Sequence, residues 1–224
     1  MQDIAKLGEL CVTHLVAVDS ALSKGRIDRY LVAAGNDRAL ALRYYMWNSE
    51  LCQAFYVPIQ MAEIAVRNCI LKALVARYGT NWPFETGFTA MLSDRCRDDL
   101  TQAIADERYQ HGTACTHEHI ASAVSFSFWD HLCTKRFRPL LWAKGITPFL
   151  PHFPDNTDLP KLQVRIMTIR QWRNRLAHYK TVFDKNPTQK HNDILELLSW
   201  ISPDLRTFVR DTSRFSRVLG RRPT

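Results

Sequence analysis

Arg173, Asn174 and His178 are the residues of this chain whose types and spacing could do chemistry. Imidazole exchanges protons near neutrality, so His178 offers an acid–base group. A guanidinium presents paired N–H donors to a carboxylate or a phosphate. Asn174 and His178 are four apart and share a face of any helix that carries them, with Arg173 one residue round. An Arg five places before a His is expected about 0.75 times by chance at this composition; an Asn directly after the Arg lowers that to about 0.03. The plainer reading makes Arg173 a paired arginine at the core edge and His178 a half-buried imidazole. A second polar group, Glu63, Arg67 and Asn68, interrupts an apolar passage. Glu63 and Arg67 have the spacing of an intrahelical ion pair; alternatively Glu63 or Asn68 faces the Arg173 helix and orients its polar groups.

The element that must position the first set is a helix from Leu162 to Phe183, with Asp158 as its cap. Leu162, Ile166, Ile169 and Leu176 recur at helical spacing, and Arg173 falls on the same stripe. An unpaired charge is not tolerated there, so Arg173 needs a counter-ion or a route to water. Glu63, Arg67 and Asn68 lie on the longest predicted helix, residues 49–78, bent at Pro58 and stopped at Gly79, with Asn48 as a cap at its start.

Other helices are expected over 4–23, 26–34 (closed by Gly35-Asn36) and from the Asp37 cap through Trp47. A polar, peripheral helix spans 93–109, and Thr116 caps one that reaches Cys133. That last helix carries Ser125-Phe126-Ser127-Phe128-Trp129, read as core rather than as a base-stacking platform. A proline-rich loop fills 145–160. Asp193 and Glu196 have capping-box spacing, and Pro203 starts a last short helix. His111, Cys115, His117 and His119 resemble metal ligands, but on a helix His117 and His119 point apart, so no metal is assigned. No strand signal and no repeat is present, and the fold class is all-α.

The chain reads as one domain over residues 1–224, with its core at about 26–212 and a basic tail, 213–224, carrying Arg214, Arg217, Arg221 and Arg222. No apolar run is long enough to span a membrane and no export signal is visible, so a cytoplasmic protein without membrane contact is expected. The six cysteines form no Cys-x-x-Cys pair and read as reduced. Net charge is +8, and all of the surplus lies in residues 161–224, which hold 14 Lys and Arg against 5 Asp and Glu. The first 160 residues hold 16 against 17. A concentrated surplus of this kind attracts polyanions; the alternative is a solvated basic face that serves solubility.

Tyr44…Trp47-Asn48, Glu63…Arg67-Asn68, Tyr78-Gly79…Trp82, Ser125-Phe126-Ser127-Phe128-Trp129 and Arg173-Asn174-Arg175-Leu176-Ala177-His178 together resemble the Abi-like (abortive infection) proteins of the HEPN superfamily. The likeness covers residues 26–183. It implies a HEPN-like helical bundle with extra peripheral helices, and metal-independent RNA cleavage that needs no cofactor. Arg173, Asn174 and His178 would match the family's Arg-Asn-x3-His motif, supported by Glu63, Arg67 and Asn68. Arg170, Arg175 and Lys180 would supply RNA contacts. The resemblance further implies a homodimer with a composite active site and an antitoxin of RNA or protein, in a toxin–antitoxin or phage-defence setting. Some relatives carry a modifiable Tyr two places after the His; here Lys180 stands there and Tyr179 adjoins the His. The expected products are 2′,3′-cyclic phosphate and 5′-hydroxyl ends. The alternative within the same fold is a non-catalytic RNA-binding or sensor module.

Overall fold

Proline, glycine and apolar spacing divide the chain into helices, and the computed structural model describes residues 12–22, 24–142, 148–154 and 159–224. Among the described residues there is no strand, which agrees with the all-α reading. The expected start at residue 4, the Asp158 cap and much of the proline-rich loop fall outside those residues.

Helices α1 (Val12–Leu22) and α2 (Lys24–Ala33) lead into α3 (Arg38–Ala54). Gly35 and Asn36 take positive φ values of 61° and 69°, and the Asp37 side chain accepts from the Leu40 amide to start α3. The chain breaks at Phe55, and α4 runs over Tyr56–Tyr78. Pro58 therefore lies in the first turn of α4 instead of bending a helix of residues 49–78. Its missing N–H is the one that would have bonded Ala54, so continuing α3 was the costly alternative. Phe55 is fully buried at that break, with the rings of Trp172 at 5.3 Å and Phe215 at 5.0 Å.

A short helix α5 (Thr86–Thr89) precedes α6 (Asp94–His111), which buries only Cys96, Leu100 and Ala103 and is peripheral as its polarity suggested. The single helix expected from Thr116 to Cys133 is two, α7 (His117–Ala123) and α8 (Phe126–Leu132). Asp99 of α6 holds the break by accepting from the Ser125 amide at 3.2 Å and its hydroxyl at 2.7 Å. Phe126, Phe128 and Trp129 are buried, as core.

After α9 (Arg138–Leu141), α10 covers Leu159–Ala177 and buries Leu159, Leu162, Ile166, Ile169 and Trp172. It stops six residues before the expected Phe183. Helix α11 (Pro187–Ile201) starts from Asn186, whose side chain accepts from the Gln189 amide. Asp193 and Glu196 lie inside that helix rather than capping it, and both pair with Arg165. Helices α12 (Pro203–Thr212) and α13 (Phe215–Leu219) finish the chain. The stretch expected to be a separate tail is part of the core: Phe215 and Val218 are buried, and Trp47 donates to the Val218 carbonyl at 2.8 Å. No helix among the described residues is long and apolar enough to cross a membrane.

Asn48 is buried within α3 and caps nothing. Its carbonyl oxygen accepts from the Val182 amide at 2.7 Å and the Phe183 amide at 3.3 Å, fixing the chain as it leaves the motif helix. Phe183 then packs against Tyr30, Tyr44 and Trp47. Replacing Asn48 by Ala strands two amides in an apolar surrounding. The expected loss is about 3 kcal/mol of unfolding free energy, measured by urea titration. A loss below about 1 kcal/mol would show that the clamp is dispensable.

Candidate functional site at the end of helix α10

Three arginines of α10 dock it to three neighbours. Arg165 pairs with Asp193 and Glu196 of α11. Arg170 Nε lies 2.8 Å from Asp130 Oδ2 of α8, and Arg173 Nε lies 3.1 Å from Glu63 Oε1 of α4. Their side chains are 18%, 28% and 46% exposed in that order, so the pairing opens to solvent toward the C-terminal end.

Glu63 thus meets Arg173 across the helix interface, and no Glu63–Arg67 pair is present among the described residues. Burial raises the carboxyl of Glu63 above its ordinary range, and the Arg173 charge offsets this only in part. Oε1 is sealed from solvent and receives no well-aligned hydrogen bond, so the contact with Arg173 is mainly Coulombic. Arg173 Nη1 also donates to Asn174 Oδ1 at 3.3 Å. The same neighbour pairing recurs on α4, where Arg67 Nε donates to Asn68 Oδ1 at 3.3 Å. Arg170 and Arg175 are committed to structure. Arg170 holds Asp130, and Arg175 Nε donates to the Thr181 carbonyl at 2.7 Å. Lys180 is exposed.

The helix ends in a hydrogen-bonded reversal. The Tyr179 amide bonds the Leu176 carbonyl at 2.9 Å and the Lys180 amide bonds the Arg175 carbonyl at 3.1 Å, the two bonds of a Schellman turn. Such a turn needs a left-handed residue, usually glycine, and here Tyr179 adopts it with φ 53°. His178 precedes it, exposed, its amide still bonded to the Asn174 carbonyl at 3.1 Å. Arg26 and Arg29 of α2 reach the same turn at the Tyr179 carbonyl and the Thr181 hydroxyl.

Beside this turn opens a cleft of about 1060 Å³. Arg173, Ala177 and Tyr179 line it from the α10 side, and Arg67 and Arg214 add two further guanidiniums. Among the described residues Glu63 is its sole carboxylate. His178 lies in the chain between two lining residues, Ala177 and Tyr179, but is not itself in the lining, and its imidazole makes no hydrogen bond among the described residues. Asn68 and Asn174 are not in the lining. Tyr56, Gln60, Glu63 and Arg67 form one wall, spaced four, three and four apart. Glu63 and Arg67 of that stripe were singled out from the sequence; Tyr56 and Gln60 were not, although their helical spacing to Glu63 is the signal that would have found them. Arg214 and the conformation of Tyr179 carried no local signal.

No family model, no curated protein and no solved structure matches the chain.

Replacing Tyr179 by Gly relieves the left-handed backbone without touching the Schellman bonds, and the fold should gain about 1 kcal/mol by thermal or urea unfolding. A loss of stability would mean that the ring packs more than it strains. Glu63 gives a pH dependence. Its raised folded value favours the folded state while the acid is protonated. That contribution is full below the unfolded value and is lost as pH rises through the folded one. Wild type should therefore lose stability relative to Glu63→Gln as pH rises from about 4 toward neutrality. A difference that stays flat or runs the other way would remove the burial argument.

Proposed function

We propose that this chain is a HEPN-type endoribonuclease of the Abi-like kind, a toxin of phage defence that cleaves RNA without a catalytic metal. The observation that carries the reading is the exposed His178, one turn beyond Arg173-Asn174 and next in the chain to Ala177 and Tyr179, which line a cleft with three guanidiniums and one carboxylate among the described residues. The Arg-Asn-x3-His run and the four signatures before it supply the resemblance; an open, cationic groove suits a polyanionic strand.

RNA carries its own nucleophile. A base removes the 2′-hydroxyl proton, O2′ bonds to phosphorus, the P–O5′ bond breaks, and an acid protonates the leaving O5′. His178 would supply the imidazole for one of these transfers. Arg173 is held by Glu63 through Nε and by Asn174 through Nη1, and Nη2 has no partner among the described residues. That free nitrogen would stabilise charge gathering on the non-bridging oxygens. Asn174 would fix the guanidinium, and Lys180, Arg67 and Arg214 would hold the flanking phosphates. Nothing among the described residues orients the His178 ring, and a second copy across a two-fold axis would supply the other imidazole and close the site. A cytoplasmic homodimer neutralised by an RNA or protein antitoxin follows from this reading.

One observation favours a non-catalytic RNA-binding module instead: the arginines of α10 are used to dock the helix. The two readings separate cleanly with His178→Ala, an exposed substitution that leaves the docking pairs intact. The nuclease reading expects single-stranded RNA cleavage to fall by 100-fold or more (roughly the upper part of what general acid–base groups contribute). It expects RNA affinity to be retained, cyclic phosphate and 5′-hydroxyl products, and full activity in EDTA well below the unfolding temperature. Binding without cleavage by the wild type would favour the module, and unimpaired cleavage by His178→Ala would overturn the nuclease.

A further inference from the structure

A second constellation lies away from the cleft. Glu107 and His111 occupy one face of the last turn of α6, four apart, and Gly112, with φ 54°, reverses the chain so that α7 begins beside them. His119, in the first turn of α7, stacks on His111 with ring centroids 4.0 Å apart and 18° between planes. Glu107 Oε2 is 3.3 Å from His111 Nε2. One ligand atom from each of the three lies within 4.8 Å of the others. The sequence pointed to four residues here, and the helix resolves them. His117 turns away into a smaller cavity beside Arg108, where a guanidinium opposes any cation, and Cys115 lines that same cavity. Glu107 takes their place.

The geometry points to a binding site for one zinc-type divalent cation, held by Glu107, His111 and His119 and completed by water. Two imidazoles and a carboxylate are a donor set that zinc accepts, at metal–ligand distances of about 2.0–2.2 Å. The three side chains are exposed or half-buried, so the rotations that draw their atoms onto an ion disturb no core packing. One existing bond competes. The Thr116 amide donates to His119 Nδ1 at 3.2 Å, which places the proton of a neutral ring on Nε2. Coordination through Nε2 moves that proton to Nδ1 and turns the exposed Thr116 amide to water. The Thr116 hydroxyl still accepts from the His119 amide, so the helix cap survives. A single exchanged hydrogen bond stands against three coordinate bonds, and the ion prevails. The bound cation would tie the end of α6 to the start of α7, the helix that carries Ser122 into the wall of the cleft. It would be a staple, and it stands independently of the ribonuclease reading.

The test uses the full chain, stripped with chelator and titrated with zinc by calorimetry, with cobalt absorption reporting the geometry. One equivalent should bind at micromolar concentration, and the unfolding temperature should rise by several degrees, reversed by EDTA. Glu107→Gln and His111→Gln, which leave the α7 cap untouched, should each weaken binding by about 10-fold or more and abolish the thermal shift. Cys115→Ser and His117→Gln should bind as wild type does. The site is overturned if the wild type takes up no zinc at 100-fold the protein concentration (roughly, well past saturation). It is equally overturned if Cys115→Ser or His117→Gln loses the ion while His111→Gln keeps it.

Discussion

Helix α10 is fixed by charge. Its arginines at 165, 170 and 173 each reach a carboxylate on a different neighbour, so its rotation and its depth are set together. A guanidinium suits this work because its fork can meet a carboxylate while its stem packs on apolar surface. The consequence is an ordered arginine at the open end of the series. Burying Glu63 requires a positive neighbour, and Arg173 supplies it while remaining half exposed. A flexible surface arginine would have to be immobilised each time it met a phosphate; this one is already held.

The exit of α10 is fixed just as firmly, by different means. Asn48 satisfies two amides of the departing chain, Arg26 and Arg29 brace the turn, and Phe183 is enclosed by aromatic rings. Between these anchors the chain must reverse within a few residues, and the left-handed position falls on Tyr179. That conformation is costly for a tyrosine, whose residue is 75% exposed and lines the cleft.

The apolar stripe of α10, the aromatic core of α8 and the caps at Asp37 and Thr116 were legible because each rests on spacing within a few residues. The all-α class followed from the same periodicities. The breaks at Phe55 and Val124-Ser125 were not, although Pro58 bore on the first, because a helix pattern continues on both sides of each and only Asp99, 26 residues earlier, settles the second. Asn48 and the C-terminal residues were misread for a related reason: their partners lie more than 130 residues away in the chain. The Glu63–Arg173 contact could be stated from the sequence as one of two alternatives, since a carboxylate between apolar residues needs a cation and two were within reach. Arg170 and Arg175 looked available for RNA for the opposite reason; nothing local marks an arginine as already engaged by Asp130 or by a carbonyl.

RNA cleavage by the Arg173-Asn174-His178 end of α10 is the proposal on which the functional reading rests. The most direct measurement is a transcriptome-wide map of 5′-hydroxyl RNA ends in cells expressing wild type or His178→Ala at equal protein levels. Discrete new 5′-hydroxyl ends should appear with wild type and disappear with the variant. The same ends in both, or none in either, would contradict it.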